Sequence, residues 1–205
     1  MRKRWRIVVS VLALVLGLSL IAGYLWMHHS GEEDLHGHRI IAEDPPSDDE
    51  IRDMDAQDTK GRFVIKKVGM DVPLASIKAH GVINPPGFTK AFTLRNVGAG
   101  SPKKASEGTL YVAMHSVKRG FAPGNYFIDV GKEYSKVKKG YTVEVSGVEY
   151  RVTENRLVRK NKLRHDSEVW ANTPNRLVII TCIQRPWGFG SSSYNLVTTA
   201  ELAEA

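Results

Sequence analysis

The chain has almost no cysteine: a single residue, Cys182, among 205. One thiol excludes an internal disulfide and any cysteine-rich metal site, so a folded domain of this chain must be stabilised by packing. The sequence also lacks a helix-turn-helix pattern, a zinc-ligand spacing and the aromatic signature of RNA-binding domains, so nothing in it indicates nucleic-acid binding. With 42% hydrophobic residues, the chain is long enough to form one core, and one folded domain is the prediction.

Charge is divided unevenly along the chain. Residues 26–60 contain eleven acidic and three basic residues, whereas residues 61–205 contain twenty-two basic and eleven acidic ones. The pattern predicts a basic domain that follows an acidic spacer. Such a basic surface is either simply solvated or binds an anionic lipid or polymer.

The N-terminal 27 residues have the pattern of a membrane anchor. Residues 7–27 carry no charge, and four basic residues stand just before them in the 1–6 segment. Their length and the preceding positive charge predict a transmembrane helix with its N-terminus in the cytoplasm and the rest of the chain outside. The alternative is a cleaved signal peptide, but the apolar run is longer than a usual signal-peptide core.

Residues 28–61 are rich in acidic residues, serine, histidine and proline. Low hydrophobicity and like charge predict a disordered, extended linker. Four histidines lie in this stretch, namely His28, His29, His36 and His38. Their spacing fits no closed metal site, so we predict neither a metal site nor a cofactor.

From residue 62 to residue 205 the sequence is typical of short strands separated by turns. Predicted strands are 62–68, 73–77, 91–95, 108–115, 141–145, 148–153, 177–182 and 195–200. Ser146-Gly147 between two alternating segments predicts a hairpin, and residues 163–170 predict one or two helical turns. Strands at this spacing with little helix favour an all-β barrel or sandwich.

The chain's only thiol stands at the end of the most apolar strand. Residues 177–180 are bulky or β-branched, and a loop rich in proline and glycine follows Cys182. The pattern predicts a strand covered on both faces that presents the thiol at a surface. A lone cysteine is more often a small buried hydrophobic residue than a nucleophile, so its role depends on what lies beside it.

His115 is the predicted partner of the thiol, because it also ends an apolar strand and is also followed by turn-prone sequence. A thiolate needs a base or a cation close to the sulfur. Two strands that end in Cys182 and His115 would bring both side chains to one rim of a barrel. His80 and His165 lie in predicted turns and are weaker candidates.

These residues resemble the sortases, membrane-anchored cysteine transpeptidases of Gram-positive cell surfaces. The resemblance extends from Arg62 to Leu202 and includes a histidine at a strand end, a Gly-Val-Glu-Tyr-Arg-Val hairpin, an apolar run that ends in Thr181-Cys182, and one last strand. The segments 85–87 and 97–98 are most similar to those of the single-domain actinobacterial sortases, a class E/F-like type.

The resemblance implies an eight-stranded β-barrel with short helices and an active site at one end. Cys182 would cleave a sorting signal of the Leu-Pro-x-Thr-Gly kind through a thioacyl intermediate, and His115 would act as general acid and base. The implied partners are surface proteins with such a signal and an amine acceptor from peptidoglycan or a pilin lysine, at the plasma membrane. No metal or cofactor is implied.

One departure from the family is important. Sortases carry an essential arginine on the last strand, and no arginine follows Arg185 here. Arg185 could supply the guanidinium from a new position, Tyr194 or Ser193 could donate a neutral hydrogen bond instead, or the chain is a weakened sortase-fold module. Thr181 and Trp187 are the remaining predicted substrate-binding residues, although Trp187 is equally compatible with core packing.

Two function classes therefore remain open. The first is a transpeptidase whose substrate specificity comes from residues 156–173. The second is a binding module that attaches an anionic wall polymer or lipid through the exposed cations Arg159, Lys160 and Lys162.

Overall fold

The computed structural model describes residues 14–23, 31–40, 46–81, 83–129, 134–184 and 193–203. The chain divides into two units, residues 1–32 and residues 33–205. In the first unit, residues 14–23 form a helix, α1; the rest of the predicted 7–27 anchor lies outside the described residues. Within the described ranges, no helix combines the length and the apolar character needed to cross a membrane.

The second unit is built around a closed barrel of eight strands, which confirms the predicted all-β barrel. Its strands are β3 (Gln57–Ile65), β4 (Met70–Ile77), β5 (Ala91–Leu94), β6 (Leu110–Met114), β9 (Thr142–Val145), β10 (Val148–Arg159), β11 (Arg176–Cys182) and β12 (Tyr194–Leu202). Their order around the barrel is β10-β12-β11-β6-β5-β4-β3-β9. The β6–β11 and β4–β5 pairs are parallel, and the other pairs are antiparallel.

Short elements decorate the barrel. Two small sheets pair β1 (Glu32–Glu33) with β2 (Arg39–Ile40) and β7 (Ile128–Asp129) with β8 (Tyr134–Ser135). The helices are α2 (Asp48–Met54) and α3 (Lys160–Leu163), with 3-10 turns at Lys66–Val68, Pro102–Glu107 and Pro123–Tyr126. The predicted helical turns at 163–170 thus correspond to the end of α3 and the turn that follows it.

The described part of the predicted 28–61 linker differs from an extended tether, because it contains β1, β2, α2 and the start of β3. Ser47 caps α2, and Glu50 closes a capping box with it. The acidic run that suggested a disordered spacer therefore forms the first turn of a helix, where negative charge is favourable. Met54 at the end of α2 is buried, so this stretch also contributes to packing.

The Ser146-Gly147 hairpin is confirmed. Both residues have positive φ, 53° and 82°, as a tight two-residue turn between antiparallel strands requires. The turn starts β10, which continues for twelve residues to Arg159. The last residues of β10 pair with the first residues of β12, so β10 reaches the end of the barrel where β12 begins.

Strand β11 lies between β6 and β12 and is buried on both faces, as predicted. Leu177 and Ile179 belong to the interior cluster of the barrel. Val178 and Ile180 belong to a second cluster, which is closed on the outside by residues such as Trp170. Successive β11 side chains therefore point alternately into the barrel interior and into this second cluster, the outer cluster.

Candidate active site

The parallel register of β6 and β11 brings Cys182 and His115 side by side. Thr181 pairs with Met114, so the next position on each strand is Cys182 on β11 and His115 after β6. Both positions continue the alternation of the outer cluster, because Ile180 and Ala113 belong to it. The register thus puts the two residues on neighbouring strand ends, and the alternation assigns the thiol and the imidazole to the same face.

The His115 ring is held by the loop before β5. Its Nε2 atom lies 2.6 Å from the carbonyl oxygen of Pro85, and its ring centroid is 4.6 Å from that of Phe88. A carbonyl oxygen only accepts, so this contact requires a proton on Nε2. In the neutral ring, Nδ1 is then the basic nitrogen.

The backbone at His115 is fixed by Gly124. The Gly124 N–H donates to the His115 carbonyl oxygen at 2.6 Å. A Cβ at Gly124 would lie 2.0 Å from Thr181 Oγ1 and 2.7 Å from that same carbonyl oxygen. Only glycine permits this close approach, so Gly124 is a positioning residue that the sequence analysis missed.

Polar groups also join the two strand ends. Ser116 Oγ donates to the Cys182 carbonyl oxygen at 2.6 Å, and Gln184 Nε2 donates to the Ser116 carbonyl oxygen at 2.8 Å. These bonds link the residue after His115 to the residues on and after Cys182. The relative position of thiol and imidazole is thus set by buried and half-buried hydrogen bonds, not by the register alone.

Burial shifts both titratable groups away from their charged forms. It lowers the pKa of His115, and the Pro85 hydrogen bond offsets this only in part. It also raises the pKa of Cys182 above the ordinary value of a thiol. At neutral pH the resting pair is therefore mainly neutral thiol and neutral imidazole, and the thiolate form is a minority.

One cation acts on both groups. The positive charge of the Lys160 ammonium favours a lower pKa at both groups. It therefore partly offsets the effect of burial on the pKa of Cys182 and adds to the effect of burial on the pKa of His115. Lys160 follows β10 at this end of the barrel, and its backbone N–H donates to the Ser193 carbonyl oxygen at 2.9 Å. The sequence analysis assigned Lys160 only to substrate or polymer contacts, because its distance from Cys182 in the chain gave no sign of proximity.

We expect Lys160→Ala to raise the pKa of both Cys182 and His115, because a nearby positive charge favours thiolate and disfavours imidazolium. The Cys182 value is measured from the pH dependence of iodoacetamide alkylation, and the His115 value from the pH dependence of its imidazole NMR signals. Lys162→Ala, on the same short helix, is the matched control and should leave both values in place. Opposite shifts of the two groups would contradict the shared-cation geometry.

Asn195 is the described residue of β12 that lies opposite the nucleophile. It pairs with Cys182 in the antiparallel β11–β12 ladder, and directly paired residues point to the same face. Its side chain is only 7% exposed. It can offer a carboxamide N–H at the thiol, whereas the sequence indicated only that a strand begins at this position.

The other predicted site residues differ in position. Thr181 is 2% exposed, its Oγ1 has no hydrogen-bond partner among the described residues, and it points to the barrel interior, away from the face of Cys182. Tyr194 packs against the interior cluster, with the Arg159 guanidinium 5.4 Å from its ring centroid. Ser193 is exposed, and Arg185 and Trp187 lie outside the described residues.

Of the two rival histidines, His80 lies at the other end of the barrel, and no contact of His165 with the site is found among the described residues. His80 is exposed and follows β4, whose last residue pairs with the last residue of β5, away from His115. His165 is exposed and follows α3. In the predicted specificity segment, Arg156 is paired with Asp166 and Glu168 at 3.2 Å, so its charge is already compensated.

Comparison with solved structures gives sortases. The chain matches Listeria monocytogenes sortase A at 23% identity and a TM-score of 0.48, over 70% of this chain and 86% of that one. It matches a Clostridium perfringens sortase D5 transpeptidase at 15% identity and a TM-score of 0.48, over 70% of this chain and 78% of that one. It also matches sortase C-1 from Actinomyces oris at 17% identity and a TM-score of 0.48, over 76% of this chain and 79% of that one.

The fold is similar to that of sortases. The family resemblance drawn from the sequence and its class E/F-like assignment remain predictions. No family model matches the sequence, and the comparison with curated proteins gives no match. The function is therefore argued below from the residues of this chain.

Proposed function

We propose that the chain is a cysteine transpeptidase that cleaves a sorting signal of the Leu-Pro-x-Thr-Gly kind and transfers the acyl part to an amine. The observation that carries this proposal is the adjacency of Cys182 and His115 on one face of two parallel strand ends. A thiol beside an imidazole whose other nitrogen is engaged by a carbonyl is the arrangement that nucleophilic thiol catalysis needs. The sequence resemblance to sortases supports the same reaction.

The reaction needs two acyl transfers. In the first, the neutral His115 imidazole takes the proton of the Cys182 thiol and the thiolate attacks the scissile carbonyl carbon. A C–S bond forms, the peptide C–N bond breaks, and the leaving amine takes the proton from the His115 imidazolium. In the second, an incoming amine attacks the thioester, a new C–N bond forms, the C–S bond breaks, and the neutral His115 accepts the amine proton. Return of this proton from His115 to the Cys182 thiolate restores the initial protonation state.

The negative charge on the tetrahedral intermediate needs a donor. We propose that the Asn195 carboxamide donates a hydrogen bond to this oxyanion and that the Lys160 ammonium contributes positive charge. Their support is the pairing of Asn195 with Cys182 and the effect of Lys160 on both reacting groups. A carboxamide and an ammonium would then together stabilise the oxyanion, a role that one arginine has in sortases. Arg185 remains a proposed contributor, because it follows the nucleophile by three residues.

The remaining assignments are proposals that depend on the sequence. Residues 1–6 would be a cytoplasmic tail and 7–27 a single-pass anchor, with the catalytic domain outside the plasma membrane. The substrates would be surface proteins that carry the sorting signal, and the acceptor would be a peptidoglycan precursor or a pilin lysine. No metal or cofactor takes part in the proposed reaction.

The test is a fluorogenic peptide panel based on Leu-Pro-x-Thr-Gly, given with an amine acceptor to the full-length protein. The expected result is turnover together with a mass increase on Cys182 that equals the acyl part of the peptide. Failure of every peptide to form an adduct on Cys182 would reject the proposal. The binding-module alternative predicts instead salt-sensitive polymer binding that survives Cys182→Ala and is lost on charge reversal of Arg159, Lys160 and Lys162.

Asn195→Ala is expected to reduce kcat about a hundredfold, because loss of one oxyanion donor typically costs about 10²–10³ in rate. KM should change little, since the hydrogen bond forms mainly in the transition state. Steady-state kinetics with the best peptide measure both values. The control is Asn96→Ala, because Asn96 is an exposed asparagine in the turn after β5. Unchanged kcat in Asn195→Ala would remove Asn195 from the mechanism.

A further inference from the structure

The turn between β1 and β2 is organised by the buried carboxylate of Asp34. Oδ1 accepts the backbone N–H groups of His36 and His38 at 2.8 and 2.9 Å. Oδ2 accepts the backbone N–H of Phe121 at 2.8 Å. Both acceptor positions of Oδ1 are occupied, whereas Oδ2 retains one lone pair.

Two imidazoles lie close to the Asp34 carboxylate. His38 Nδ1 lies 3.8 Å from Asp34 Oδ2, and the His38 side chain is 74% exposed. The His36 ring stacks on Phe121 with 5.1 Å between ring centroids and 16° between planes. One ligand atom from each of Asp34, His36 and His38 lies within 4.8 Å of the others.

We propose that Asp34, His36 and His38 form a binding site for a divalent transition metal of the zinc type. One carboxylate oxygen and two imidazole nitrogens are the three protein ligands of an open tetrahedral zinc site, with water in the fourth position. Ligand atoms around a tetrahedral zinc are about 3.4 Å apart, so the exposed His38 ring needs only a small rotation. Two imidazoles out of three ligands favour zinc, cobalt, nickel or copper over calcium or magnesium.

The carboxylate is prepared for a cation. Three backbone N–H groups donate to the two oxygens of the buried Asp34 carboxylate, and such donors favour its ionised form. The same donors fix the orientation of Oδ2, as a well-ordered ligand requires. The sequence analysis predicted no metal site because the histidine spacing alone fits none; Asp34 supplies the missing ligand.

A metal here would stabilise the surroundings of His115. Gly120 approaches the turn so closely that a Cβ would lie 2.9 Å from Asp34 Oδ2. Ile40, at the end of β2, packs in one cluster with Phe88, Val117 and Ala122, and Phe88 stacks on His115. The site would thus brace the loop that follows His115, but its existence does not depend on the proposed transpeptidase reaction.

The test is calorimetric titration of Zn²⁺ into the metal-stripped full-length protein, with Co²⁺ absorption spectra as a second measurement. We expect one bound ion, the intense visible bands of tetrahedral cobalt, and a higher Tm with Zn²⁺. His36→Ala and His38→Ala should each weaken binding at least about tenfold, because each removes a ligand. Both residues are on the turn surface, so the variants should still fold.

The controls separate this site from other histidines. His80→Ala and His165→Ala, both exposed and outside the turn, should leave Zn²⁺ affinity unchanged. Binding that survives His36→Ala and His38→Ala but is lost when His28 and His29 are replaced would overturn the proposal. Absence of Zn²⁺ and Co²⁺ binding to the unaltered protein would also overturn it.

Discussion

Cys182→Ala is expected to abolish peptide cleavage and acyl transfer, with a loss of at least about a thousandfold in kcat/KM. The chain has no other thiol, so no neighbouring residue can form the thioester in its place. Removal of a nucleophile that acts with a base leaves only the contribution of binding and of oxyanion stabilisation. The measurement is turnover of the fluorogenic peptide together with intact-mass analysis for the acyl adduct.

The fold should tolerate this change, because the Cys182 side chain is half-buried at a strand end. The Tm of Cys182→Ala should therefore stay close to that of the unaltered protein. Cys182→Ser, which keeps the size but supplies a much weaker nucleophile, should be nearly as inactive as the alanine variant. Peptide cleavage by Cys182→Ala at the original rate would show that the chemistry resides elsewhere.

His115→Ala is expected to lower kcat by about 10²–10⁴, the range for loss of a general acid and base. The physical reason is specific to this site: the pKa of Cys182 is raised, so the thiol depends on a neighbouring base to lose its proton at neutral pH. In the variant, activity should recover as pH rises, because hydroxide then deprotonates the thiol. A pH-rate profile of both proteins measures this effect.

A second measurement separates chemistry from misfolding. Alkylation of Cys182 by iodoacetamide at high pH should proceed in His115→Ala as in the unaltered protein, because the thiolate forms there without the base. His80→Ala and His165→Ala should retain full activity, since both side chains are exposed. Equal losses in all three histidine variants would contradict the assignment of His115.

The sequence predicted those parts of the fold that depend on local patterns. The run from Leu177 to Ile180 predicted a strand buried on both faces, and Ser146-Gly147 predicted the hairpin, because side-chain alternation and turn chemistry are properties of neighbouring residues. The strand-end positions of Cys182 and His115 were predicted in the same way. Their arrangement side by side followed from the family resemblance and from the parallel register.

The features that the sequence did not predict depend on pairing between distant segments. Asn195 became a candidate oxyanion donor only because the strand register pairs it with Cys182. Lys160 became a candidate cation only because the end of β10 lies beside the start of β12. Asp34 looked like one more acid in a charged linker, because its hydrogen bond to Phe121 joins residues 87 positions apart. Contacts of this kind cannot be predicted from the composition of a local segment.

The parallel pairing of β6 with β11 has a consequence for the order in which the chain folds. The thiol and the imidazole are separated by 67 residues of chain, and the hairpin, β10 and α3 must all fold in between. Contacts between residues so far apart in the sequence form late in folding, because closing the long loop between them lowers the chain entropy before the stabilising contacts form. We therefore expect the thiol and the imidazole to come together only when the barrel closes.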